Sequence, residues 1–395
     1  MIADSEIQDL GFRKQWEASL PVPAGCDIDA AYLVDEALYV TAEDGSVFAL
    51  QADVGLLRWA DHLTEPDYTI FRPTHVRTRD GKGPTLIPTT TRTFYYDRYS
   101  GARLSSFEPP FPPGGPMIAV DRSVFAGSVD GRFYALIMAA QTDLSYKAWE
   151  VSTGGPITAA PILFDGNKLL FASQGGRVFA CLAEDKTYLW SFATEGAIIG
   201  DPAVDPSGAY VASEDRSLYK LDTLGGQRLW RVRFPAPLRE GPAVAAQTVY
   251  QYCEDDGLTA LDAGSGDRKW RLEDGRMFVS HSTAGDVILT EDCRFRIVES
   301  NSGATQGIFT LPDALGAVTN PRDDAVFVWG SQGRIACLRL DNVPYLRRQQ
   351  VLSARQQLNM PPAKESASQS PNDKPPAKPR TERDKNPFRS DRDQP

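Results

Sequence analysis

The chain alternates short apolar runs with polar turns, and this alternation repeats about every 40 residues. In one repeat the apolar run Leu38-Tyr39-Val40 is followed by the turn Glu43-Asp44-Gly45, and a second run begins at Val47. Short runs of β-branched and aromatic residues split by Asp-Gly-type turns predict β-hairpins. Between Cys26 and Asn342 no apolar pattern keeps a period of 3.6 residues, because Gly and Pro interrupt every run. The pattern therefore predicts an all-β protein.

An aromatic residue ends each repeat. These residues are Trp16, Trp59, Phe107, Trp149, Trp190, Trp230, Trp270 and Phe309. A repeat of this length with four short strands predicts a single β-propeller built of four-stranded antiparallel blades. Since one aromatic side chain buries about 150–250 Å² of surface, we expect these eight to be structural side chains packed between blades. Binding of ligands by them is the less favoured interpretation.

The two ends of the repeat region are incomplete in complementary ways. The last repeat begins near Ala325 and has no closing aromatic residue, whereas Trp16 lacks the three strands expected before it. We predict that the N-terminal strand around Trp16 completes the last blade, which closes the ring and leaves no long open edge. This prediction gives eight blades. The alternative is seven, with a degenerate second repeat that carries Phe107 in place of Trp and an insertion near Thr78–Pro84.

The repeats resemble those of the quinoprotein-dehydrogenase-like propellers, in which a small residue, Leu and Asp precede a Gly and a Trp. The matching residues are Ala260-Leu261-Asp262, Gly266 and Trp270 in one repeat, Leu221-Asp222, Gly226 and Trp230 in another, and Ala49-Leu50, Gly55 and Trp59 in a third. That family contains enzymes that use pyrroloquinoline quinone (PQQ). It also contains non-enzymatic scaffolds, among them an outer-membrane assembly lipoprotein that is an eight-bladed ring of similar length.

The resemblance implies a scaffold without a cofactor, which binds one or more proteins and acts in cell-envelope assembly. The family's dehydrogenases hold PQQ beside a vicinal Cys-Cys disulfide, with a bound calcium ion, but the five cysteines of this chain are scattered. The motifs GxSxG, GxxxxGK[ST] and HExxH are also missing from the sequence. The alternative function is a quinoprotein-like oxidoreductase, with PQQ and calcium at the mouth of the central channel.

Candidate binding residues lie where the chain leads into the first strand of several repeats. They are Asp29, His75, Asp201, Glu240, His281 and Asn320. Polar residues at corresponding repeat positions predict a ring around the channel mouth, where histidines and carboxylates can bind a ligand or exchange protons. The alternative is a solvated rim without a special role. We assign no catalytic residue and no metal site.

Charge and hydropathy limit the classes of partner that the protein can bind. The chain has 42 basic and 52 acidic residues, a net charge of −10. This excess of acid disfavours nonspecific nucleic-acid binding and anionic membrane surfaces. No apolar stretch is long enough to span a bilayer, and the first residues contain no apolar signal sequence. We expect either a cytoplasmic protein or, as the family resemblance implies, an envelope protein whose start lies upstream of Met1.

The sequence divides into four parts. We predict an N-terminal extension at 1–11, the propeller at 12–342, a short helical extension at 343–360 and a disordered tail at 361–395. The tail consists mainly of Pro, Lys, Ser, Asp and Arg, a composition that buries too little apolar surface to offset the entropy of ordering. We expect the protein to be a monomer.

Overall fold

The computed structural model describes residues 7–138, 144–311 and 313–358. In this part of the chain eight four-stranded antiparallel sheets follow one another as the blades of a propeller. The first strands of neighbouring blades contact each other, which places them around the central channel, and the fourth strands lie outermost. The predicted eight-bladed, all-β fold is confirmed, and the seven-bladed alternative is wrong because the second repeat forms a complete blade.

Blades 1 to 4 are built in chain order from the channel outward. Their strands are β2 (Ile28–Val34), β3 (Ala37–Ala42), β4 (Ser46–Gln51) and β5 (Leu56–His62) in blade 1; β6 (Thr74–His75), β7 (Thr85–Pro88), β8 (Thr93–Tyr96) and β9 (Arg103–Phe107) in blade 2; β10 (Pro113–Val120), β11 (Ser123–Ser128), β12 (Arg132–Met138) and β13 (Ser145–Ser152) in blade 3; and β14 (Ile162–Phe164), β15 (Lys168–Ser173), β16 (Arg177–Leu182) and β17 (Tyr188–Ala193) in blade 4.

Blades 5 to 7 follow the same order, and blade 8 combines both ends of the chain. The strands are β18 (Ala203–Asp205), β19 (Gly208–Ser213), β20 (Ser217–Leu221) and β21 (Arg228–Arg233) in blade 5; β22 (Ala243–Ala245), β23 (Thr248–Cys253), β24 (Gly257–Asp262) and β25 (Arg268–Leu272) in blade 6; β26 (Gly275–Ser282), β27 (Gly285–Thr290), β28 (Arg294–Val298) and β29 (Thr305–Thr310) in blade 7; and β30 (Ala314–Ala317), β31 (Val326–Gly330), β32 (Arg334–Leu340) and β1 (Phe12–Ser19) in blade 8.

The N-terminal strand closes the ring as predicted. Strand β1 pairs antiparallel with β32, from Phe12 opposite Leu340 to Ser19 opposite Arg334. Trp16 lies opposite Cys337 in this pairing. Its indole N–H donates to the carbonyl of Ala52 in blade 1 at 2.9 Å. The strand that completes blade 8 therefore also fastens blade 8 to blade 1.

Each junction between neighbouring blades contains its own cluster of buried apolar side chains. At five junctions the indole N–H of the closing tryptophan donates to a backbone carbonyl of the next blade. The pairs are Trp16 with Ala52, Trp59 with Arg98, Trp190 with Thr223, Trp230 with Ala263 and Trp270 with Ser300. The aromatic side chain thus joins two blades by packing and by a directed hydrogen bond.

A glycine of the next blade lies under the tryptophan ring. Gly226 has a φ of +68°, and a Cβ atom at this position would lie 2.5 Å from the ring of Trp190. Glycine is the residue that combines this left-handed backbone with such a close approach. The same arrangement joins Gly55, Gly101, Gly266 and Gly303 to Trp16, Trp59, Trp230 and Trp270. The corresponding turn of blade 4 instead carries Lys186, with a φ of 64°.

Every outermost strand contains a one-residue β-bulge near its aromatic residue. The bulged residues are Gln15, Arg58, Leu104, Ala148, Leu189, Leu229, Lys269 and Gln306. A bulge interrupts the regular ladder of backbone groups and increases the local twist. The outer rim therefore offers no long flat edge for another strand to extend.

After blade 8 the chain forms one short helix, α1 (Arg348–Leu358), inside the segment for which a helix was predicted. The link before it is held by Arg13, which donates to the carbonyl of Val343 and stacks on Tyr345. In the described ranges no helix is long and apolar enough to cross a membrane. The predicted tail, 361–395, lies outside the described residues.

Candidate functional site at the two ends of the channel

The structure places three of the predicted rim residues where the chain enters the innermost strands, an end that we call the entry face. Asp29 is the second residue of β2. Asp201 and Glu240 lie in the loops just before β18 and β22. These three residues share one end of the channel because the innermost strands of a propeller run in the same direction.

The other three lie at the opposite end, the exit face, where the innermost strands finish. His75 is the last residue of β6, His281 is the penultimate residue of β26, and Asn320 follows β30. The six residues therefore do not form a single ring. Alignment of the repeats identified the correct strand in each blade but not the end of that strand, because the innermost strands differ in length from two to eight residues.

An ion pair crosses the entry face. Arg72, in the loop before β6, lies 3.2 Å from the carboxylate of Asp201. The two residues belong to blades 2 and 5, which are not neighbours, so the pair reaches across the channel. Asp201 also accepts a hydrogen bond of 2.7 Å from the backbone N–H of Ala160 in blade 4. Burial, together with the nearby charges of Asp29 and Asp201, raises the pKa of Tyr32 beside this pair.

A second group of charges covers the entry face of blades 5 to 7. Arg276 donates two hydrogen bonds of 2.7 Å to Glu240 and lies over the ring of Tyr252. Arg239 pairs with Glu214 and Glu254. Two of the three predicted carboxylates on this face, Asp201 and Glu240, are thus neutralised by arginine. The arrangement is a network of exposed ion pairs.

On the exit face His75 is buried at the junction of blades 1 and 2. Its Nδ1 atom lies 2.7 Å from Asp35, and its Nε2 atom lies 2.8 Å from the hydroxyl of Tyr39. Burial lowers the pKa of His75, and its hydrogen bond lowers the pKa of the Asp35 carboxyl. A neutral imidazole fits this geometry, with Nδ1–H donating to Asp35 and Nε2 accepting from Tyr39. His75 therefore links two blades.

His75 also belongs to a group of possible metal ligands that the sequence did not reveal. Ligand atoms of Asp35, Glu36 and His75 lie within 4.8 Å of one another. Glu36, however, pairs with Arg58 at 3.3 Å and with Arg98 at 3.5 Å. The two guanidinium groups pair with Glu36 and Asp35 bonds to His75, so the cluster is better described as an ion-pair network. The acidic pair Asp35-Glu36 was visible in the sequence, but its distance to His75 depends on how two blades pack.

The remaining exit-face residues are also held by their surroundings. His281 Nδ1 lies 2.7 Å from the fully buried carboxylate of Asp286, which accepts further hydrogen bonds from Tyr250 and Ser300. Burial and the Asp286 charge raise the pKa of Tyr250. Asn320 is fully buried and donates its amide to Asp323 and to the carbonyl of Ala325. These contacts stabilise blades 7 and 8.

The residues present do not fit PQQ and calcium. The Asp201 and Glu240 carboxylates would have to give up their arginine partners to bind a cation, and the Arg72–Asp201 pair already reaches across the channel between blades 2 and 5. The cysteines do not approach one another: Cys181 and Cys337 are buried in different blades. Burial raises the pKa of both thiols to about 12, so they stay protonated and unreactive near neutral pH.

Eight blades of PQQ-like repeats, closed by an N-terminal strand, define the class of this protein as a quinoprotein-like β-propeller. A family model described as outer membrane protein assembly factor BamB matches residues 146–233 and 208–357. The two matches together span more than half of the chain, so the chain belongs to this family. No curated protein matches the sequence closely enough to serve as a relative.

Solved structures share the fold. BamB from Moraxella catarrhalis superposes with a TM-score of 0.64 at 15% identity, covering 83% of this chain and 99% of that one. The computationally designed protein Ika8 gives 0.62 at 14% identity, with coverages of 81% and 98%. Sqt1 from Saccharomyces cerevisiae gives 0.61 at 10% identity, with coverages of 79% and 95%. At these identities the similarity concerns the fold alone.

Proposed function

We propose that this protein is a non-catalytic propeller scaffold that binds other proteins during outer membrane protein assembly. One observation carries the proposal: five of the six candidate site residues have their polar groups in hydrogen bonds or ion pairs with other residues of the chain. Asp201 and Glu240 pair with arginines, the two histidines bond to carboxylates, and Asn320 is buried. The sixth, Asp29, makes one long contact of 3.4 Å with Thr41. The BamB family membership supports the setting in outer membrane assembly.

The entry face is the surface we propose for the protein partner. Its charged residues are solvent-exposed, with side-chain exposures of 57% for Arg239 and 47% for Glu240. Exposed ion pairs of this kind contribute only about 0–1 kcal/mol to folding, so they can exchange partners at little cost to the fold. Charges at the rim of an interface mainly speed association and select the correct partner.

Cross-linking in cell-envelope extracts, followed by affinity purification and mass spectrometry, tests the proposal. We expect outer membrane assembly proteins to be enriched with the wild-type protein and reduced with Arg239→Glu/Arg276→Glu. The matched control is Arg79→Glu/Lys82→Glu, which makes the same change of charge in a loop of blade 2 on the exit face and should leave the capture unchanged. The proposal is wrong if no envelope protein is enriched, or if the purified protein oxidises alcohols or sugars after addition of PQQ and calcium.

A further inference from the structure

The outermost strands of blades 5 and 6 carry a concentration of positive charge. Strand β21 reads Arg-Leu-Trp-Arg-Val-Arg and strand β25 reads Arg-Lys-Trp-Arg-Leu, with no acidic residue in either. We call the basic side chains of these two strands the basic ridge: Arg228, Arg231, Arg233, Arg268, Lys269 and Arg271. The ridge contrasts with the whole chain, whose net charge is −10.

Three of the six basic side chains of the ridge have no partner within the described residues. Arg228, Arg233 and Arg268 are exposed, and in the described part of the chain their side chains form no ion pair or hydrogen bond. Arg271, in contrast, pairs with Asp256 and Glu273. Cationic groups without an intramolecular partner attract negative charge from outside the molecule.

Two large apolar side chains lie beside the free arginines. Leu224 is 73% exposed and Leu229 is 53% exposed, on either side of Arg228. This combination is local, since the outermost strand of the preceding blade, β17, carries no charged residue at all. Basic and apolar groups therefore alternate at one place on the rim, and the repeat itself does not require them.

The junction between blades 5 and 6 joins β21 to the turn that precedes β25. The indole of Trp230 donates to the carbonyl of Ala263, and its ring lies against Gly266, just before β25 begins. Arg228 and Arg268 occupy the same position in their repeats, two residues before the closing tryptophan. Arg228 lies opposite Leu221 and Arg268 opposite Leu261, so the two side chains occupy equivalent points of neighbouring blades and each is on the face turned toward the preceding blade.

We propose that the basic ridge binds an acidic segment of a partner protein in which carboxylates alternate with apolar residues. The proposal rests on the scaffold function proposed above and gives the chemistry of one partner. Carboxylates complement the free arginines, and apolar side chains cover Leu224 and Leu229. The bulges at Leu229 and Lys269 interrupt the outer ladders, so the segment binds through its side chains and does not extend the sheets.

A narrow segment fits the charge distribution better than an anionic lipid surface. Beyond the ridge the protein is acidic, and a flat membrane would bring those acidic surfaces within the screening distance of about 8 Å at physiological salt. A segment of extended chain contacts the ridge alone. The arginines on the outermost strands of two neighbouring blades therefore select a narrow anionic partner.

The test measures binding of a short synthetic peptide that alternates glutamate and leucine, by fluorescence anisotropy with the full chain. We expect Arg228→Gln/Arg268→Gln to weaken binding by about tenfold, since two exposed ion pairs with the peptide are lost. Binding should also weaken as salt is raised. Arg79→Gln/Lys82→Gln removes the same charge from blade 2 and should leave the affinity unchanged. Melting curves confirm that both variants are folded.

Three results would overturn the proposal. One is no measurable binding of the peptide. Another is equal affinity for wild type and Arg228→Gln/Arg268→Gln, or for a peptide with glutamine in place of glutamate. The third is that vesicles containing phosphatidylglycerol, and not the peptide, depend on the two arginines, which would identify a lipid surface as the occupant. A negative result with the peptide would not change the capture of envelope proteins through the entry face. The two experiments therefore test the two proposals independently.

Discussion

Two junctions of the ring are built differently. Between blades 5 and 6 the ring of Trp230 lies on Gly266 and its indole binds a carbonyl of the next blade. Between blades 3 and 4 the indole of Trp149 makes no hydrogen bond within the described residues. Phe133 instead stacks on Phe171 at 3.9 Å across that junction. The comparison teaches that the tryptophan and the glycine act as a pair, and that stacked phenylalanines can replace them.

Removal of the tryptophan should have the largest effect at the regular junction. We expect Trp230→Ala to lower the free energy of unfolding by up to about 3–5 kcal/mol, because the change opens a cavity against Gly266 and removes the hydrogen bond to Ala263. Trp149→Ala should cost less, since both tryptophans are partly buried but Trp149 donates no hydrogen bond within the described residues and the stacked phenylalanines remain. Urea denaturation of both variants measures the difference.

The reference for this experiment is Asp29→Ala on the entry face, which should change stability by less than about 0.5 kcal/mol. Equal losses for Trp230→Ala and Trp149→Ala would show that the two junctions are equivalent. A larger loss for Asp29→Ala than for Trp230→Ala would mean that the aromatic residue does not hold the blades together.

One substitution can remove the glycine from a regular junction, and another can introduce a glycine at the junction between blades 3 and 4. Gly226→Ala places a methyl group against Trp190 in a left-handed conformation, which costs about 1–2 kcal/mol for the backbone alone. Lys186→Gly makes the reverse change in blade 4 and should stabilise by up to about 1 kcal/mol, because Lys186 already has a positive φ. Thermal melting compares the two. If Lys186→Gly destabilises the protein, the turn of blade 4 is held by the lysine side chain.

The junction between blades 1 and 2 should respond to pH, unlike its apolar counterparts. Burial lowers the pKa of His75 below its ordinary 6.5, so the unfolded chain binds the proton more tightly. The contribution of neutral His75 to the free energy of unfolding is therefore fully present above about pH 6.5. It is lost as the pH falls through the lower pKa of the folded state. Asp35 has a lowered pKa too, but it titrates in a more acidic range.

Melting temperatures at about pH 7.5 and about pH 5.5 measure this effect, and we expect a decrease of a few degrees for the wild type. His75→Gln should show a smaller decrease, since a neutral side chain replaces the titrating one. Phe171→Leu, at the apolar junction between blades 3 and 4, is the control; it leaves His75 in place and should keep the pH dependence of the wild type. An unchanged pH dependence in His75→Gln would place the sensitive group elsewhere.

Much of the fold could be predicted from the sequence because the repeat is local. The position of Trp230, the turn at Gly226 and the strands between them all lie within one repeat, and each obeys rules of turn and strand formation. The closure by Trp16 could also be predicted, since the last repeat lacks what the N-terminus supplies. These features need only the order of residues along the chain.

The candidate site could be predicted only in part. The ion pair of Arg72 with Asp201 joins blades 2 and 5, and the bond of His75 with Tyr39 joins blades 1 and 2. Such contacts depend on the curvature of the ring and on where each strand ends. Repeat alignment contains neither quantity, so residues at opposite ends of the channel were assigned to one ring.

The pairing of β1 with β32 has a consequence for how the chain folds during synthesis. Phe12–Ser19 is made first, yet its partner, Arg334–Leu340, is made more than 300 residues later. Contacts between such distant segments form slowly, because a long loop must be closed before they can stabilise anything. Until then blade 1 presents an uncovered apolar flank that attracts other chains. Protection of the nascent propeller is therefore most needed before its last blade emerges.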